Sequence, residues 1–412
     1  MPEAVVVATA RSPIGRARKG SLVDVRPDDL AATIVRAVLD KVPALPPADI
    51  DDLYLGCAEP WGEHGSNMAR VVAVLLGFDH LPGATINRFC SSSVQTTRMA
   101  FHAIKAGEGE AFVSAGVECV SRYKGFGGAG QNAADDWGNL LFAQAQRRTT
   151  ATALANDDPP TPWHDPREDG LLPDIYLAMG QTAENVATLR GVSRRAQDEW
   201  GVESQNRAEK AQLDGFFARE ITPVTTPSGQ VVSKDDSPRA GVTLEAVEAL
   251  QPVFRPNGTV TAGNCCPLND GAAALVVMSD IKAQELGLTP LARVVATGVS
   301  ALSPEIMGLG PVEASRQALH RAGMSISDMD LVEINEAFAA QVLPSAEDLG
   351  IDLDRLNVHG GAIALGHPFG MTGARITTTL LNGLQARDGQ FGLETMCVGG
   401  GQGMAIIYER LS

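Results

Sequence analysis

The amino-acid sequence predicts an α/β protein made of two similar units whose sheets pack through shared helices. Three observations carry this. Short β-branched runs alternate with stretches of helical periodicity. A hydrophobic content of 44% comes with only 5% aromatics and with 43 glycines, as in compact chains rich in tight turns. The order of elements near the N-terminus also recurs in the second half. At 412 residues the chain exceeds one ordinary domain, so each unit is expected to bury its own core.

Glu3 to Thr9 is a β-branched run that ends in Arg11-Ser12-Pro13-Ile14-Gly15, a buried strand entering a loop. Asp28 to Asp40 sets Leu30, Ile34, Ala37 and Val38 on one helical face. Ile50 to Gly56 is a second strand, Val71 to Leu76 a helix, and Glu110 to Cys119 an apolar strand. Strands alternating with helices predict parallel pairing through βαβ units. Tyr123 to Gly170 is rich in Gly, Pro, Asn and Asp and reads as a long surface excursion. Gly180 to Phe217 reads as helical, with Ser193 as an N-cap and Ala196, Trp200, Ala208 and Ala211 facing inward. Gly271 to Met278 is again a strand.

The repeat begins at Val294-Val295-Ala296-Thr297, which matches Val6-Val7-Ala8-Thr9; each run leads to a Ser-Pro pair, Ser303-Pro304 and Ser12-Pro13. A helix follows at Val312 to Ala322. Ser327-Asp328-Met329-Asp330-Leu331 then answers Ala48-Asp49-Ile50-Asp51-Asp52-Leu53, and both halves close an apolar strand on a cysteine, Cys119 and Cys397. The expected organisation is an N-terminal half (1–120 with 250–285), an insertion (121–249) and a C-terminal half (286–412).

The net charge of −16 argues against nucleic acid or an anionic membrane as partner, and an anionic substrate would need its own local cations. Met1-Pro2-Glu3-Ala4 lacks the basic region of a secretory signal, and no stretch has the length of a membrane-spanning helix. Six cysteines without a CxxC pair suggest a reducing cytosol rather than a disulfide framework or a zinc site.

The chemistry is expected around Asn87-Arg88-Phe89-Cys90-Ser91-Ser92-Ser93. Helical periodicity follows it, so Cys90 falls at a helix N-terminus, where unpaired N–H groups and the dipole favour the thiolate. The serines suit a helix start. Taken alone, such a cysteine is more often a small buried hydrophobe. Further candidates accompany it: Asn335-Glu336-Ala337-Phe338 after an apolar run, Gly360-Gly361-Ala362-Ile363-Ala364-Leu365-Gly366-His367-Pro368 opening a helix, and Cys397-Val398-Gly399-Gly400-Gly401 after a strand. Glycine runs after strands let backbone N–H groups approach a developing oxyanion. Together these supply a nucleophile, a base, a second acid/base and oxyanion donors, the parts of acyl transfer.

On those motifs, and from Ala4 to the C-terminus, the chain resembles the thiolases, acyl-CoA acetyltransferases and 3-ketoacyl-CoA thiolases. The resemblance implies a layered αβαβα fold of two duplicated halves with an inserted loop domain over the site. It implies that Cys90 carries the acyl group, that His367 takes its proton and lines one oxyanion hole with a water held by Asn335, and that Cys397 moves the α-carbon proton. Backbone N–H groups of Cys90 and Gly399 would form the second hole, and Glu336 would orient its neighbours. Coenzyme A is the implied co-substrate with no permanently bound cofactor and no metal. Cys266, Met179, Ala337 and Phe338 would line the pantetheine path, and Arg239 would stand near the nucleotide. A homodimer or homotetramer, and a β-oxidation partner enzyme, are further implications.

Ser93 stands where the family usually has glycine, Cys265-Cys266 replace a common Ala-Ser pair, and Ala178 stands where short-chain biosynthetic members often carry histidine. Cys90-Ser91-Ser92 and His367-Pro368-Phe369 look more like the degradative members. Two other readings stay open: acetoacetyl-CoA synthesis, and a non-catalytic acyl-CoA or lipid-binding relative. A β-ketoacyl synthase would use two histidines, and Asn335 and Cys397 speak against it.

Overall fold

The computed structural model describes residues 2–123, 138–157 and 159–412; residues 124–137 and 158 of the predicted surface excursion lie outside them. The longer strands are β1 (Ala4–Arg11), β2 (Asp52–Gly56), β3 (Gly83–Ile86), β4 (Ala111–Cys119), β5 (Asn269–Ser279), β6 (Ala292–Ala301), β7 (Leu331–Ile334), β8 (Phe391–Val398) and β9 (Gln402–Arg410). The longer helices are α1 (Pro27–Leu39), α2 (Met68–Leu75), α3 (Ser92–Ala106), α4 (Ala143–Leu154), α5 (Met179–Arg190), α6 (Arg194–Leu213), α7 (Gly310–Ala322), α8 (Ala339–Leu349) and α9 (Thr372–Ala386).

The strands run in the order β7-β8-β9-β6-β1-β5-β4-β2-β3, and the halves meet through a short β1–β6 pairing at Val5–Arg293 and Val6–Ala292. The duplication is visible in the pairings. From β1 outward the N-terminal half goes antiparallel to β5, antiparallel to β4, parallel to β2 and parallel to β3. From β6 outward the C-terminal half goes antiparallel to β9, antiparallel to β8 and parallel to β7, and a parallel bridge from Val332 to Leu356 stands in the place of β3. The expectation of parallel pairing therefore holds at the outer strands only. The glycine turn between Val398 and Gln402 is too short for a crossover, so β8 and β9 form an antiparallel hairpin.

Three clusters of buried side chains give the layers. One packs α1 and α2 on the outer face of the first half. A second places α3 and α9 between the halves, and a third packs α7 and α8 on the outer face of the second half. The predicted α1 face is borne out at Leu30, Ile34 and Val38.

In the long segment between β4 and β5 the helical reading of 180–217 and the Ser193 cap are borne out: Gly191 takes φ +64 and ends α5, and Ser193 caps α6 by accepting from the Ala196 N–H. One expectation is corrected. Within the supposed irregular excursion, 143–154 is helical, although only Ala145 of α4 is buried, which explains its weak periodicity. No helix among the described residues is long and apolar enough to cross a membrane.

Candidate active site

Cys90 does not open an α-helix directly. Phe89 to Ser91 form a 3-10 turn, with Phe89 at φ +44, and α3 starts at Ser92. The serines act differently from simple caps. Ser92 accepts the Arg88 N–H at 2.9 Å and donates to Phe89 O at 2.7 Å, closing the turn on itself. Ser93 Oγ accepts the Ala374 N–H at 2.9 Å and so ties α3 to α9. A Cβ at Gly116 would stand 2.0 Å from Gly370 O and 2.7 Å from Ser93 Cβ, so β4 needs glycine where the helix after Cys90 and the His367 loop converge on it.

The N–H groups of Gly399 and of Cys90 itself point at the Cys90 sulfur. These favour the thiolate, but burial outweighs them and pushes the thiol up to about 12. The N–H donors at the turn thus favour the thiolate against a larger cost of burial. Cys90 is partly accessible, yet the protein packed around it withholds the water an anion needs. Cys397 ends β8 fully buried, and burial followed by the Cys90 charge raises its thiol well above the ordinary value.

His367 is buried and its two ring nitrogens have defined roles. Thr372 Oγ1 donates to Pro368 O at 2.7 Å, so it can only accept from His367 Nδ1, which lies 2.7 Å away. Nε2 is then the free base, and Asn335 Nδ2 donates to it at 3.2 Å. The His367 N–H is held by Asn269 Oδ1 at 3.0 Å. Burial, reinforced by the Arg375 charge, lowers the imidazole to about 3, so it is neutral at physiological pH. A neutral base and a neutral thiol suit proton transfer during reaction rather than a preformed ion pair. The sequence reading names neither Thr372 nor Asn269, because neither residue type announces its partner. Thr372→Val should lower kcat/KM about 10²-fold, because the wrong tautomer becomes available, with little change in thermal midpoint. Steady-state kinetics beside a melting curve checks this.

Asn335 reaches the cysteines through β8: its N–H donates to Thr395 O at 3.0 Å, two residues before Cys397. Its Oδ1 is buried without a hydrogen-bond partner in the protein. The neighbouring Glu336 carboxylate accepts from Ser204 (2.6 Å), Asn357 (2.8 Å), the Ile363 N–H (3.1 Å) and Trp200 (3.2 Å). It thus joins α6 to the loop leading to His367.

Met179, Ala337, Phe338 and Cys265 share one apolar cluster with Cys397, and the Cys266 N–H donates to Ala337 O at 3.0 Å. Burial, and after it the neighbouring thiols Cys265, Cys90 and Cys397 when ionised, raise the Cys266 thiol. Those predicted residues come together. Arg239 does not join them: it is exposed on the insertion, where its N–H donates to Gln205 Oε1 at 2.9 Å. A surface groove of about 410 Å³, lined by Arg207, Lys210, His359 and Arg387 among others, contains none of the candidates. Among the described residues no group of His, Cys, Asp and Glu is arranged to hold a metal.

The chain matches the family description "Thiolase, N-terminal domain" over residues 4–281 and "Thiolase, C-terminal domain" over residues 288–410. The chain belongs to the thiolase family. It is 40% identical to a 3-ketoacyl-CoA thiolase of Bacillus subtilis, with 99% of this chain and all of the relative covered. It is 42% identical, over the full length of both, to the 3-oxoadipyl-CoA/3-oxo-5,6-dehydrosuberyl-CoA thiolase of Escherichia coli. Among solved structures, the Bacillus anthracis acetyl-CoA acetyltransferase superposes with a TM-score of 0.86 at 38% identity, covering 100% of this chain and 99% of that one. Human mitochondrial 3-ketoacyl-CoA thiolase gives 0.83 at 35%, covering 99% of each. As a thiolase the chain is an acyltransferase that uses CoA as co-substrate without a resident cofactor.

One buried feature of this thiolase alters its pH response. Glu333 and Glu394 are register partners on β7 and β8, both buried and both pushed up to about 8 by burial. Each keeps in the folded state a proton that the unfolded chain loses near 4.5. Their contribution is fully present below that value and is lost as pH rises towards 8. Glu394→Gln should remove its share, so the variant loses roughly 3 kcal/mol less stability than wild type between pH 5 and 8. Chemical denaturation at the two pH values measures it.

Proposed function

We propose that this thiolase cleaves 3-oxoacyl-CoA with CoA, releasing acetyl-CoA and a shortened acyl-CoA, through an acyl-Cys90 intermediate. The observation that carries the assignment is the Cys90 sulfur receiving the N–H groups of Gly399 and of its own backbone, beside Cys397. His367 Nε2, held as the free base by Thr372, takes the Cys90 proton as the sulfur attacks the 3-oxo carbonyl. The tetrahedral oxygen forms where the Cys90 and Gly399 N–H groups converge. Carbon–carbon cleavage then places charge on the thioester oxygen of the leaving enolate, which His367 and a water held by Asn335 stabilise. Cys397 protonates the α-carbon and, in the second half, takes the thiol proton of the incoming CoA, which removes the acyl group from Cys90.

Residues 121–249 act as the inserted, CoA-facing domain. Met179, Cys266, Ala337 and Phe338 line the pantetheine arm, and Arg239 meets the nucleotide end. The degradative direction rests on the Cys90-Ser91-Ser92 and His367-Pro368-Phe369 sequences. A cytoplasmic homo-oligomer, with a β-oxidation enzyme as its neighbour in metabolism, completes the reading. Intact mass after brief exposure to a panel of acyl-CoA and 3-oxoacyl-CoA thioesters, beside a Cys90→Ala control, tests it. One acyl adduct, removed by free CoA and loading best with medium or long chains, supports β-oxidation. Adducts from acetyl-CoA alone would turn the reading towards acetoacetyl-CoA synthesis, and no adduct at all towards acyl-CoA binding.

A further inference from the structure

Glu118 is the last residue but one of β4 and is fully buried. Five donors from three chain segments converge on its carboxylate. Oε2 accepts the Ala58 N–H at 2.8 Å and the Gly370 N–H at 2.8 Å. Oε1 accepts the Glu59 N–H at 3.3 Å, the Cys57 thiol at 3.4 Å and the Tyr123 hydroxyl. Every acceptor position of the carboxylate is taken, and none of these contacts asks it to donate. No cation shares its charge among these contacts. Gly370 is three residues beyond His367, and Cys57 to Glu59 leave the end of β2, where Gly56 packs directly on the backbone of Ser92 and Ser93 behind the nucleophile turn. One carboxylate thus joins the base-bearing loop to the strand end that supports the nucleophile.

We propose that Glu118 is a positioning residue for acyl transfer, a buried anionic clamp that holds the His367 loop in register with the Cys90 turn. It touches no substrate. Its second effect is electrostatic: the fixed charge raises the Cys90 thiol further after burial and keeps the resting nucleophile protonated until His367 acts. The titratable groups that face it are Cys57 and Glu59 beyond β2, His64, Cys119 and Tyr123 around its own strand end, and Cys90. His64 supplies no compensating charge, because its Nε2 accepts the Cys119 N–H at 3.0 Å and burial lowers its pKa.

The inference rests on the roles given to Cys90 and His367 above, and the test separates the two. Glu118→Gln keeps the volume but turns an amide N–H₂ towards N–H donors in either flip. The expected result is a kcat lowered about 10²-fold with KM within about threefold, as for a small misplacement of catalytic groups. At the same time iodoacetamide should alkylate Cys90 severalfold faster at pH 8, its rate–pH profile shifted towards lower pH. General loosening would also hydrate Cys90, so the thermal midpoint and the alkylation of the fully buried Cys397 are read beside it: both stay at wild-type values for the clamp, and faster labelling of Cys397 overturns it. An unchanged kcat, or an unchanged alkylation profile, overturns the proposal. Where Glu118→Gln does not fold, the pair Cys57→Ala with Tyr123→Phe removes two side-chain donors and retains the charge. A severalfold fall in kcat at constant KM then supports the clamp, and wild-type turnover overturns it. The acyl-Cys90 reading fails separately, by the absence of an adduct in the unsubstituted enzyme.

Discussion

Cys90→Ala should abolish thiolysis, with turnover falling at least ~10⁴-fold, and should leave the fold intact. The size follows from covalent catalysis: without the sulfur there is no acyl-enzyme, and only binding and oxyanion stabilisation remain. The fold is spared because the substitution removes one atom from a partly accessible position, while the Ser92 contacts that close the turn and the Ser93 contact to α9 stay in place. The measurement is paired: residual activity and intact mass on one side, thermal midpoint on the other. Retention of more than a hundredth of wild-type activity would transfer the nucleophile's role to Cys397 or Cys266, the two thiols that share its electrostatic environment.

Glu336→Ala should give the largest loss of stability, about 3–5 kcal/mol, because truncation leaves several buried donors unpaired at once. Trp200 and Ser204 come from α6, Asn357 and the Ile363 N–H from the segment before His367, and all four close on this carboxylate. Gly361 belongs to the same arrangement, since a Cβ there would stand 2.2 Å from the Glu336 carboxyl carbon. Activity should fall beyond what stability explains, because Asn335 is adjacent in the chain and His367 lies four residues beyond Ile363. Chemical denaturation beside kinetics in the folded baseline separates the two effects. A destabilisation under about 1 kcal/mol would mean that the four donors find water instead.

The comparison between the two halves explains why so much of the fold was legible. Val294 to Thr297 repeats Val6 to Thr9 because both runs fill the same place in a repeated strand order, and the period-2 and period-3.6 patterns survive wherever an element has one dry face. The glycine motifs were legible for a similar reason. Gly400 and Gly401 take φ +76 and +78, which few other residues accept, so the turn beside Cys397 is written into the chain. Strand direction was less accessible, since alternation alone does not distinguish a crossover from the hairpin that the short turn after Val398 enforces.

What the sequence determined by itself is therefore the family, the repeated α/β order and the positions of Cys90, Asn335, His367 and Cys397, because local backbone demands and side-chain chemistry are properties of short stretches. What only the tertiary structure decided is how those groups are set. Burial, not the helix terminus, governs the Cys90 thiol. A threonine five residues beyond His367 selects its tautomer. Carboxylates at Glu118 and Glu336 gather donors from segments far apart in the chain. Desolvation and hydrogen-bond partnership depend on what surrounds an atom in space, and no local pattern of residues records that.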